Sequence, residues 1–122
     1  MGNRPAESIV SRPASKPRLA FATRAPQIVV YVNFGVFMGR EATQTEIDRL
    51  AEWLLDRVPH VTIVSEMHHE IDARSEAAVH QVRIEVEGAV DERASDELER
   101  WLLQRAELWA RSCMAERTTD AV

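Results

Sequence analysis

The sequence predicts a two-layer α+β sandwich, and three observations carry that expectation. Two neighbouring stretches alternate apolar and polar residues with period 2. Two others carry an apolar stripe at helical spacing. With the β-branched and aromatic run at 28–34 in front of them, the order along the chain is β-α-β-β-α. At 122 residues the chain can bury one modest core but not two.

Residues 1–26 hold four of the five prolines, with Ser, Ala and Arg between them. Such a stretch buries too little apolar surface to offset its ordering entropy. It is expected to be a disordered Pro/Arg-rich basic tail, followed by a single α+β domain over 27–117 and a frayed C-terminus at 118–122. Leu19-Ala20-Phe21-Ala22 is the exception, able to lie extended along a sheet edge.

Ile28 to Phe34 reads as a strand from its β-branched and aromatic content. Residues 35–39 (GVFMG) read as an apolar loop into a helix. There Thr43 and Glu46 have the spacing of a capping box, and Ile47, Leu50, Ala51, Leu54, Leu55 and Val58 form one stripe. Pro59 is expected to stop that helix.

The second strand, about 61–71, places Val61, Ile63, Met67 and Ile71 at odd positions. The third, about 78–87, places Val82, Ile84 and Val86 at even ones. A hairpin that keeps both apolar sets on one face pairs odd with even. Centring the turn on Arg74-Ser75 sets Ile71 against Ala78, His69 against His80, Met67 against Val82 and Glu66 against Arg83; a slip of two residues would preserve the faces. A long helix follows from Asp91 or Ser95 to Glu116. Leu98, Trp101, Leu102, Trp109 and Cys113 form its stripe, and Leu103, Ala106, Ala110 and Met114 widen it. That excess width points to a second contact.

A right-handed β-α-β unit followed by a hairpin inserts the third strand between the first two. The result is a ferredoxin-like split β-α-β without the fourth strand, with sheet order 2-3-1 and both helices on one face. The element order also resembles that of the small ribosome-hibernation domains. Those are strongly basic and carry an additional strand, so no function is carried over. In this arrangement 28–34 is an uncharged edge strand. Bare edges recruit other chains, so the edge is expected to be occupied by the same strand of a second copy or by residues 19–22.

Charge narrows the function classes. Residues 1–26 carry five basic groups against Glu7, a net of +4; the other 96 residues carry 10 basic and 19 acidic groups, a net of −9. An acidic domain argues against nucleic acid, whose binding is driven by counterion release onto Lys and Arg. The longest uncharged run, 25–39, is shorter than the roughly 20 residues of a membrane span. The first 26 residues lack the apolar region of a signal peptide. One cysteine and no internal disulfide fit a reducing cytoplasm. Lys16 is the only lysine among 15 basic residues, an association with GC-rich bacterial genomes.

The candidate sites each have a plainer alternative. His69 and His80, facing each other across the hairpin, are candidate metal ligands; otherwise they fill a half-polar margin of the helix-facing side. Tyr31, Glu66, His68 and Arg83 share the open face with Asn33, Gln81 and Glu85, a set able to bind a carboxylate or move protons. An uncovered antiparallel face is polar in any case. Gly35 to Thr45, with Arg40, leads into a helix start that would suit an anion. Ile28, Val30, Tyr31, Trp53, Leu103 and Met114 are candidate interface residues. The expected function is a non-enzymatic, self-associating interaction or regulatory module, a homodimer first, with a further protein partner conceivable. The alternative is a metal- or small-anion-binding protein, an enzyme in one version. No cofactor is implied beyond a metal ion at His69 and His80.

Overall fold

The computed structural model describes residues 18–24, 26–88 and 91–120. Strands β1 (Ala20–Arg24), β2 (Ile28–Val32), β3 (Thr62–Ile71) and β4 (Glu76–Val86) form one antiparallel sheet in the order β1-β2-β4-β3. Helices α1 (Phe34–Met38), α2 (Gln44–Leu55) and α3 (Glu92–Asp120) complete the α+β sandwich. The expected split β-α-β is present, with β4 between β2 and β3. A fourth strand is present too, supplied from the N-terminal side.

That strand corrects the expected three-stranded sheet and the tail boundary at residue 26, and it bears out the expectation that the segment around residues 19–22 fills the β2 edge. Ala20–Arg24 falls inside the segment read as tail and occupies the far edge of β2, pairing Ala20 with Val32 and Arg24 with Ile28. The uncharged edge is therefore filled from within the chain. Arg24 closes the strand onto α3 by pairing with Asp96, with Glu99 at 3.1 Å and with Glu92 at 3.5 Å. The rest of the expected tail, residues 1–17, lies outside the described residues.

The core follows the parity of the sequence. Ile28, Val30 and Val32 of β2 and Val82, Ile84 and Val86 of β4 are buried together, beneath Leu102, Ala106, Trp109, Ala110 and Cys113 of α3. The segment 35–39 is not a loop: Phe34–Met38 forms a helical turn ending at Gly39, whose φ of 75° is the left-handed region glycine tolerates. Gly35 is needed for closeness. A β-carbon there would sit 2.7 Å from the backbone nitrogen of His80.

Thr43 caps α2 with the expected capping box. The helix ends at Leu55, before the expected Val58, whose N–H still donates to the Leu54 carbonyl at 3.1 Å. Glu46 does more than cap. Its carboxylate accepts both Arg40 guanidinium nitrogens, at 2.9 and 2.8 Å, and the Thr43 N–H at 2.9 Å. Trp109 donates its indole N–H to the Glu46 carbonyl at 2.8 Å. The Arg40 guanidinium holds the Glu46 carboxyl at about 2, below the ordinary 4.5. Burial, with Glu46 nearby, pushes the Cys113 thiol up to about 12, so it is an inert core residue.

A depressed carboxyl pKa contributes stability above about pH 4.5 that is lost as pH falls toward 2. For a well-buried Glu46 this amounts to roughly 2–3 kcal/mol. Urea titrations of E46Q at pH 7 are expected to show a loss of that size, with a flatter stability profile between pH 4.5 and 2 than the parent. Gly35→Ala is expected to cost about 1–3 kcal/mol by overpacking against His80, read in the same titrations.

Candidate functional site

Two surfaces are candidates, and both belong to the β3–β4 hairpin. Its register differs by two residues from the expected one: Ile71 pairs with Glu76, His69 with Ala78, Met67 with His80, Glu66 with Gln81 and Val64 with Arg83. The turn chemistry decides this. The Asp72 carboxylate accepts the N–H groups of Arg74 at 2.8 Å and Ser75 at 2.9 Å, and the Asp72 N–H donates to the Ser75 carbonyl at 2.9 Å. An Asx turn of this kind centres the loop on Ala73-Arg74. A slip of two leaves every side chain on its expected face.

On the open face the expected group assembles. Arg83 lies in a row across the sheet, between Tyr31 on β2 and Val64 on β3, and Phe21 of β1 stacks on Tyr31 with ring centroids 5.0 Å apart. Glu66, no longer directly opposite Arg83, still reaches it diagonally at 3.3 Å. Its other oxygen meets His68 Nε2 at 2.8 Å. Arg83 also pairs with Glu85, which accepts from Gln27 at 3.2 Å. Gln81 donates to the Asn33 side chain at 2.9 Å. The His68 hydrogen bond, then Arg83, draw the Glu66 carboxyl below its ordinary value. Two buried atoms on this face, Gln81 Oε1 and Arg83 Nε, have no hydrogen-bond partner among the described residues. Both neighbouring carboxylates already engage the terminal nitrogens of Arg83, which leaves its buried Nε as the donor without a partner among the described residues.

The helix-facing side of the hairpin holds His69 and His80, but not opposite each other. His69 Nδ1 lies 3.2 Å from Glu76 Oε2 instead. Among the described residues no group of three or more His, Cys, Asp or Glu is placed to hold a metal ion. Arg40, the candidate anion ligand, is already held by Glu46.

The expected interface residues separate. Ile28 and Val30 are wholly buried in the core and present no side-chain surface to a second chain. Trp53, Leu103 and Met114 pack partly buried against the same core, and Tyr31 lies under Phe21. Arg105, an arginine within the α3 stripe, stacks over the Trp101 ring, with Arg57 over that ring as well. Exposed apolar side chains lie elsewhere, Leu55 and Leu108 singly on the helices and three more around the hairpin. β4 continues for six residues past its last partner in β2, and there the core-facing side runs out from under the helices. Met67 is 49% and Ile71 69% exposed on that side, and Val36 of α1 is 48% exposed beside it. The alternation of β3 identified their face; only the lengths of the neighbouring elements show that the face is uncovered.

Against this geometry the comparisons are silent: no protein-family model, curated protein or solved structure matches the chain. No helix among the described residues is long and apolar enough to cross a membrane.

Replacing His68 by Ala removes the largest influence on Glu66. Carboxyl NMR titration of H68A is expected to move the Glu66 midpoint up toward the ordinary glutamate range. An unchanged midpoint would mean that Arg83 alone sets it.

Proposed function

We propose that this protein is a small non-enzymatic interaction module that self-associates through the projecting arm of its β3–β4 hairpin, with a homodimer as the first assembly. The supporting observation is the continuation of the core face beyond the helices, with Met67 49% and Ile71 69% exposed on it. A two-stranded ribbon is marginal in water without a third strand or a covering layer. The arm extends with a free edge along β3, and its apolar side lacks such a layer. Two arms related by a two-fold axis would cover each other's apolar side, since an isologous contact needs only one self-complementary patch.

The uncharged edge of β2 no longer supports self-association, because β1 fills it. The arm takes over that role. A single buried thiol accords with a cytoplasmic setting. The alternative of a ligand site around Arg83 has the two unpartnered buried atoms in its favour and the carboxylates already engaging Arg83 against it.

Sedimentation velocity on the full chain is expected to show dimer at micromolar concentration. The Met67→Lys, Ile71→Lys double variant should run as a monomer with a melting temperature within a few degrees of the parent. A parent chain that stays monomeric up to hundreds of micromolar would overturn this function.

A further inference from the structure

The sheet ends in β3, and that end is left open. β3 is ten residues long, lies on the far side of the sheet from β1, and takes β4 as its strand partner. Among the described residues no loop or turn bonds the backbone of Thr62–Ile71 from the outside. The strand carries neither Lys nor Pro, the residues that commonly blunt natural edges. Its charged groups, Glu66 and Glu70, lie on the open face with His68 between them. We propose that the β3 edge pairs with the β3 edge of a second copy, antiparallel about a two-fold axis at Met67, so that two four-stranded sheets join edge to edge. This names the seam of the self-association proposed above and rests on it.

Residue parity restricts the seam to a few registers. A two-fold axis normal to the sheet keeps each face on its own side, and opposed residues of an antiparallel pair share a face. Each position therefore meets a partner position of its own parity, and the axis falls on a single residue. At Glu66 the axis sets that carboxylate against its own copy, and at His68 it opposes Glu66 to the partner's Glu70. Like charges directly opposite are destabilising. Axes at Ser65 and His69 join only residues 62–68 and 67–71. An axis at Met67 joins 63–71, all of β3 except Thr62.

In that register the side chains are complementary. On the open face each Glu66 meets the partner's His68. Glu66 already lies 2.8 Å from its own His68, so the four side chains form a square in which carboxylate and imidazole alternate. On the core side Met67 meets its copy, and each exposed Ile71 comes beside the partner's Ile63, which packs against the core. The arm thereby gains the third strand that a ribbon needs in water. The tips are acidic, with Asp72 and Glu76 against Arg74, and the register keeps them apart. Asp72 and its copy stand ten residues from each other along the seam, about 33 Å at 3.3 Å per residue, well beyond a screening length of about 10 Å.

The test introduces Ile63→Cys, Ser65→Cys, Met67→Cys, His69→Cys and Ile71→Cys singly into the full chain, because Cys113 is fully buried and escapes reaction. A short thiol-bridging reagent is expected to link copies most at position 67, where facing β-carbons lie about 4.5–5.5 Å apart. Linking should fall several-fold at 65 and 69, where a position and its copy are about 13 Å apart along the seam. The Ile63→Cys and Ile71→Cys chains are expected to link poorly alone and readily when mixed. A maximum at another position, or equal linking at all five, in a chain that still sediments as a dimer overturns this seam and leaves the self-association standing. A chain that stays monomeric up to hundreds of micromolar overturns both, and leaves the edge to a strand of another protein.

Discussion

The chain leaves the sheet at Asn33, and most of the surface follows from that departure. β2 pairs with β4 over five residues only. Gly35 then brings α1 directly against the backbone of His80, a contact that any side chain at position 35 would obstruct. Six residues of β4 are left without a third strand. The hairpin becomes an arm, its core-facing side emerges from under the helices, and grooves open on both sides of Val36. Had β2 matched β4 in length, Met67 would lie on a broader three-stranded surface and the grooves would be filled.

The body to which the arm is anchored is held by two polar devices at opposite ends. At one end Arg40, Thr43 and Glu46 fix the entry to α2, and the Glu46 carbonyl takes the Trp109 indole hydrogen, tying α2 to the middle of α3. At the other, Arg24 gathers Glu92, Asp96 and Glu99, and so holds a five-residue strand against the long helix. In the first, Glu46 is buried while Arg40 reaches the surface, so loss of Arg40 would leave a carboxylate away from water. The second is more exposed, and salt screens such pairs.

On the open face, polar residues serve structure before chemistry. Glu66 and Glu85 flank Arg83, so the guanidinium is already engaged on both sides. His68 adds a further link through Glu66. Such a chain keeps the face hydrated and discourages sheet-to-sheet stacking, which leaves the uncovered apolar strip of the arm as the better candidate for contact with another polypeptide.

The sequence by itself determined the class of fold, the faces of β2, β3 and β4, the α2 capping box and the membership of the open-face group. Each depends on periodicity or on partners three residues apart. Residue parity does not change under a two-residue slip, which is why Glu66 and Arg83 share a face even though the register moved. Only the tertiary structure decided that register, through the Asp72 side chain at the turn. It also decided between the two expected occupants of the β2 edge: residues 20–24 take it, with Arg24 held by the carboxylates of α3. The exposure of Met67 and Ile71 was likewise hidden, since alternation marks a face as apolar without saying whether anything covers it. Coverage depends on the relative lengths of segments far apart in the chain, and no local pattern encodes that.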